Sequence, residues 1–304
     1  MGEFAHPAVG GAAYAVRMST PLPAAPHPLM RLLELPGVAE GVDAAREACT
    51  RLRWHEAMRR RADECAVESR VQGAHASAAL EGAEWPVDWV REAMAGVRPW
   101  SEDPDPVEPV VRGAVRATEE AAHLESLTAS APSQVLARLH LAAVRGVVAD
   151  VDAGRPRHAG EPVRELTELG DPPPAEAVAP RLTGLTQVLT APPEVPAVLV
   201  AAVAHAEVAV VRPFVRGNGL VARALERAVV RSRGLDPLGV AVVEAGHRPG
   251  GGVEYHGALA AYAGGTPEGV ALWLRHAAES LEGAVRAGER VADAVRSGRV
   301  PQAG

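Results

Sequence analysis

Apolar residues recur along most of this chain at helical rather than strand spacing. From Leu29 to Gly96 the pattern predicts helices, including a strongly charged one around Arg46–Arg70. The acidic, proline-rich stretch Pro99–Pro109 (PWSEDPDPVEP) reads as a connector. Helical spacing resumes over Val110–Leu127 and Pro132–Val151, then near 181–190, 195–211 and 219–234. His247–Gly252 (HRPGGG) predicts a turn, and two or more helices fill 253–298. Val195–Val211 is apolar on most faces and long, which predicts a buried helix rather than a strand. The last segment, 276–298, is amphipathic, with a face suited to the core or to a second copy of the chain.

Composition sharpens this picture. The chain of 304 residues is 47% hydrophobic and 23% charged, as a globular protein is. Aromatics make up only 3%, so the core must be built from Ala, Val and Leu on closely packed helices. A net charge of −7 argues against general nucleic-acid binding. His205 and Glu207 interrupt the longest apolar run, so no membrane span is expected. The first residues lack a basic n-region, so no secretory signal is expected and a cytoplasmic location is. Cys49 and Cys65, sixteen apart and outside any Cys-x-x-Cys, predict free thiols rather than zinc or a disulfide framework. No histidine spacing predicts a metal site, and His140 and His205 read as satisfied core residues. The Arg59–Arg61 run reads as a solvated face.

Candidate chemistry concentrates in Arg212–Arg223 (RPFVRGNGLVAR). Asn218 is the only asparagine in the chain, which also has no lysine, so all 31 basic residues are arginine. Gly217 and Gly219 flank it between two predicted helices and permit close approach of a ligand to the backbone. The free N–H groups at the start of the second helix form an anion site. Arg212, Arg216 and Arg223 add guanidiniums suited to phosphate. The same residues also suit a plain helix–turn–helix corner, with Gly as a cap and Asn in a left-handed turn.

This stretch resembles the signature of the Fic (Fido) domain family, His-Pro-Phe-x-Asp/Glu-Gly-Asn-Gly-Arg-x-x-Arg after an apolar helix. Pro213, Phe214, Gly217, Asn218, Gly219 and Arg223 match, and Ala204-His205 lies in the preceding helix as in the family. Three positions depart: Arg212 stands at the catalytic histidine, Arg216 at the metal-binding acid, and Leu220 at the first arginine after Gly-Asn-Gly. Ser77-Ala78-Ala79-Leu80-Glu81-Gly82 resembles the family's inhibitory motif, which implies an ion pair between Glu81 and Arg223. Residues 154–165 lie where the family places a β-hairpin flap that docks a protein target by strand addition. Pro172–Pro174 resembles the proline run that follows, and Tyr255–Leu259 with Trp273 the C-terminal helices.

The resemblance implies a mostly α fold, a Fic-type helical bundle with a small β-hairpin flap. Rich in Pro, Ala and Gly, residues 1–27 read as a disordered tail, followed by an N-terminal region carrying the inhibitory helix (28–109), a Fic-like core (110–245) and C-terminal helices packing on that core (246–304). It implies nucleotide or phosphate contacts from Phe214, Arg216, Gly217, Asn218, Gly219 and Arg223, and an inhibitory role for Ser77, Glu81 and Gly82. Typical members transfer AMP from ATP to a protein hydroxyl. Arg212 cannot be the base, because guanidinium stays protonated, and Arg216 cannot hold Mg²⁺, which takes oxygen ligands. The first expectation is therefore a binder of ATP or another nucleotide without conventional AMP transfer. The alternatives are a divergent transferase or Glu81-dependent deAMPylase, and an interaction protein with a vestigial pocket.

Overall fold

The computed structural model describes residue 1, residues 26–165 and residues 169–299, so the tail expected over 1–27 lies almost wholly outside the described residues. The charged stretch read as one helix around Arg46–Arg70 is two helices, α1 (Val38–Arg53) and α2 (Ala62–Leu80). A short 3-10 turn at Glu56–Arg59 breaks it, capped by His55, whose Nδ1 accepts from the Ala57 N–H at 3.2 Å. The Arg59–Arg61 run falls at this break, where the Arg61 Nε donates to Glu64 at 2.8 Å. A short α3 (Val87–Met94) precedes the proline-rich connector. Then come α4 (Glu108–Ala121) and α5 (Pro132–Val144), each with proline at its start, where the missing N–H costs nothing. Helix α5 stops seven residues short of the expected Val151, because Arg145 turns extended at ψ 121 and Gly146 is left-handed.

The second half runs α6 (Val178–Leu189), α7 (Ala197–Val211), α8 (Asn218–Ser232), the single turn α9 (Val243–Gly246), α10 (Val253–Ala263) and the 30-residue α11 (Pro267–Arg296). In α7 every residue but Ala197 and Glu207 is buried, as its all-round apolar sequence predicts. It lies against α6, α8, α10 and α11. One hydrophobic cluster runs from Val38 to Val295, so the N-terminal, central and C-terminal segments share a core. Helix α11 packs its apolar face on α1, α2, α7, α9 and α10. No helix among the described residues is long and apolar enough to cross a membrane.

Among the described residues there is no strand. Residues 154–165, expected as a hairpin flap, run irregularly beside the loop that follows α7. The Arg157 N–H donates to the Pro213 carbonyl and the Arg164 N–H to the Val215 carbonyl, both at 2.7 Å. Pro156 and Pro162 have no N–H to give to a hairpin ladder. The turn is closed instead by Arg155, which forks onto Glu161 at 2.7 and 2.8 Å. Buried Arg157 then ties the segment to the end of α7, its Nε donating to the Arg212 carbonyl at 2.9 Å.

A core of small side chains needs close helix approach. A Cβ at Gly246 would collide with the Ser280 carbonyl of α11, whereas one at exposed Gly257 in α10 would meet nothing within 4 Å. Gly246→Ala is therefore expected to destabilise by about 1–3 kcal/mol through overpacking. Gly257→Ala is expected to stabilise by about 0.4–1 kcal/mol through the unfolded chain. Denaturant unfolding of the two variants checks the opposite signs.

Candidate functional site

The loop between α7 and α8 carries the site. Arg212 caps α7 in the left-handed region at φ 46, the one non-glycine residue with positive φ among those described. Gly217 starts α8 at φ 81, and a Cβ there would also press on Val144 at 2.6 Å. Between them the Asn218 side chain clasps its own loop. Its Oδ1 accepts from the Phe214 N–H and its Nδ2 donates to the Phe214 carbonyl, both at 2.9 Å. The unique amide thus holds the loop shut. Phe214 lines neither of the two neighbouring cavities. Its ring stacks on His140 at 3.9 Å, so it packs the loop onto α5.

Arg223, one turn into α8 and 1% exposed, is the most heavily engaged side chain here. Its Nε donates to the Ser77 Oγ at 2.9 Å, and its Nη2 to the Ser77 carbonyl at 3.1 Å and to Glu81 at 2.7 Å. Although burial alone disfavours the charge, Glu81 and Tyr255 hold the guanidinium above its ordinary range. Helix α2 delivers Glu81 because it ends there in a Schellman turn. The Ala83 N–H bonds to the Ala78 carbonyl and the Gly82 N–H to the Ala79 carbonyl, with Gly82 at φ 77. The Glu81 carboxylate then lies against Gly219, where a Cβ would strike it.

A cavity of about 440 Å³ opens over this pair, lined by Arg212, Arg223, Glu81, Glu165 and Gly219, with Leu80, Tyr255, His256 and Leu259 among its other walls. Arg212 is only 4% exposed, and its Nη2 donates to the Gly170 carbonyl at 2.7 Å. Its Nε is buried without a hydrogen-bond partner. Burial pushes the guanidinium down and Glu165 opposes this, but an arginine remains charged. Of the three expected guanidiniums, two therefore share the cavity. Arg216 is exposed and faces a smaller neighbouring cavity of about 180 Å³, also walled by Glu81 and Glu165.

Glu165 had no signal in the sequence. Its Oε1 accepts from the Asn218 N–H at 2.6 Å, the first of α8, and its Oε2 from the Asn218 Nδ2 at 3.0 Å. Burial and then Glu81 push its carboxyl above the usual range, against the two bonds from Asn218.

Behind the cavity lies a buried polar network. Glu226 on α8 receives the His205 Nδ1–H at 2.6 Å and the His247 Nε2–H at 2.7 Å on one carboxylate oxygen. The remaining His205 nitrogen accepts from the Tyr255 hydroxyl at 2.8 Å, which in turn takes the Arg223 Nη1 at 3.5 Å. Burial pushes His205 down to about 4. Burial alone would raise the Glu226 carboxyl, but the two imidazoles hold it well below its ordinary range. Among the described residues these three side chains are the group whose ligand atoms converge as a metal site requires, all within 4.8 Å of one another. Here the same atoms are satisfied by hydrogen bonds, and spacing along the chain foretold neither arrangement.

His140 gives a titratable handle on the site loop. Its Nδ1 accepts from the Gly154 N–H at 2.8 Å and its Nε2–H donates to the Arg216 carbonyl at 3.0 Å. Burial depresses its pKa from 6.5 to about 4, and His276 behaves likewise. The unfolded chain thus takes up protons that the folded chain refuses, so stability is full above about 6.5 and declines as pH falls toward about 4. Denaturant midpoints across this window are expected to fall with pH, and His140→Gln to flatten the decline.

No family model and no curated protein matches this sequence. Solved structures do. A Fic family protein from Desulfovibrio desulfuricans superposes with a TM-score of 0.66 at 22% identity, over 88% of this chain and 76% of that one. A fragment of Fic-1 from C. elegans gives 0.60 at 17%, over 86% and 73%. A Fic domain containing signaling protein from Bacteroides thetaiotaomicron gives 0.54 at 15%, over 86% and 100%. At these identities the likeness speaks for backbone architecture, and that architecture, with Gly217-Asn218-Gly219 opening α8 and α2 laid across it, is the Fic-domain fold.

Proposed function

We propose that this chain binds a nucleotide or another phosphoester in the cavity between α2, α7, α8 and α10, and does not carry out Mg²⁺-dependent AMP transfer. One observation carries the reading: a guanidinium, Arg212, stands where the family has its base, is 4% exposed, has a buried Nε without a partner, and lines the same cavity as Arg223. An unpaired buried donor on a permanent cation is costly unless an anion completes it. The cavity size suits a ligand of nucleotide scale, with apolar walls at Leu80, Ala209 and Leu259 and charged ones at Arg212, Arg223, Glu81 and Glu165. Glu81 on Arg223 supplies the competing anion, as an inhibitory carboxylate would.

Chemistry at the family's other two roles is missing. Arg212 cannot accept the proton of an attacking hydroxyl. A divalent cation needs oxygen ligands, and the position for them holds the exposed cation Arg216. The nearest carboxylates are engaged, Glu81 with Arg223 and Glu165 with Asn218. The residues present do not fit Mg²⁺.

Calorimetry with ATP on the Glu81→Gly variant tests this. Binding is expected with equal affinity in Mg²⁺ and in chelator. It is expected to weaken by about 10- to 100-fold in Arg212→Met, the cost of about 1.5–3 kcal/mol for a lost charged hydrogen bond. Binding that requires Mg²⁺, or that ignores Arg212, contradicts the reading.

A further inference from the structure

We propose that Glu165 is an intramolecular occupant of the anion site, a second carboxylate beside Glu81 that a ligand phosphate must displace from the start of α8. The inference rests on the phosphoester reading of the cavity and names how that site is held before a ligand arrives.

An α-helix leaves its first N–H groups unsatisfied, and their dipole favours negative charge. In α8 the first, on Asn218, is taken by Glu165 at 2.6 Å. Those of Gly219 and Leu220 find no acceptor among the described residues. Glu165 makes a forked contact, backbone N–H on one oxygen and side-chain Nδ2 on the other. A phosphate presents the same pair of acceptors. A second, independent observation is Arg212, a buried cation that lines the same cavity as Glu165 and whose Nε has no partner.

Charge then explains why the contact is a placeholder. Glu165 and Glu81 both wall the two adjoining cavities, and the Glu81 charge helps push the Glu165 carboxyl above its usual range. Arg212 is the cation that most offsets Glu165, yet no hydrogen bond joins them. Two carboxylates at one helix start repel each other and repel an incoming phosphate. Glu81 has its own partner in Arg223, so its removal frees Arg223 but leaves the helix start occupied.

The unique asparagine supplies the probe. In protein labelled with ¹⁵N-asparagine, Asn218 alone gives one backbone amide signal and one side-chain NH₂ pair, and both groups bond Glu165. Both signals are expected to move in Glu165→Ala and less in Glu165→Gln, whose amide oxygen still accepts. On titration with ATP, the Glu81→Gly/Glu165→Ala double variant is expected to saturate at a concentration at least about tenfold lower than Glu81→Gly alone. Calorimetric binding of ATP with equal or weaker affinity once Glu165 is removed overturns the inference and leaves the phosphoester reading intact. Absence of binding in both variants, with native circular dichroism, removes the two together.

Discussion

A buried guanidinium is costly to leave without partners, and the partners of Arg223 tie this molecule together. Ser77 and Glu81 belong to the end of α2, Tyr255 to α10, and Arg223 itself to the first turns of α8. Leaving such a charge unpaired costs several kcal/mol, so three elements distant in sequence are held in one register. Tyr255 extends the hold inward through His205 to Glu226 and His247. The tautomers follow from the ionised Glu226: each imidazole donates to it, His205 must then accept, and the tyrosine hydroxyl must give its proton inward. Its lone pairs are left toward Arg223. The polar core thereby presents an acceptor to the site and no spare donor.

We read the start of α8 as an anion cradle with its counter-charges built in. Helix dipole, free N–H groups and two arginines favour a negative ligand. Glu81 and Glu165 already supply one and reach the cradle from opposite sides of the chain order, before and after α5. The loop that carries the N–H groups is rigid for a separate reason, since Asn218 clasps Phe214, Phe214 stacks on His140, and His140 bonds Gly154 and Arg216. On the proposed reading, the affinity of such a site is set by what leaves as much as by what enters.

Much of this was legible in the sequence, and the misses have physical causes. The helical period gave the order of the long helices because a 3.6-residue stripe survives in an Ala- and Val-rich composition. It overran at α5 and merged α1 with α2, where caps such as His55 and Arg145 decide the ends. Asn218 was legible as special, yet whether its amide faces a ligand or its own loop depends on the path of residues 213–217. The meeting of Glu81 and Arg223, 142 residues apart, was reached only through resemblance. Glu165 lies 53 residues before Asn218 in an irregular loop. Glu226 is 21 residues from both of its histidines. No local period encodes such pairs; only packing makes them. The flap failed as a hairpin because its prolines withhold donors and the α7–α8 loop takes the two N–H groups of Arg157 and Arg164.

The central proposal is that Arg212 serves as an anion ligand. A crystal structure of the Glu81→Gly protein with a non-hydrolysable ATP analogue tests it most directly. The account predicts phosphate oxygens within hydrogen-bond distance of the Arg212 Nε and of the freed Arg223 guanidinium, with no cation between them. An analogue seated elsewhere, or one in the cavity with Arg212 Nε still unengaged, would contradict it.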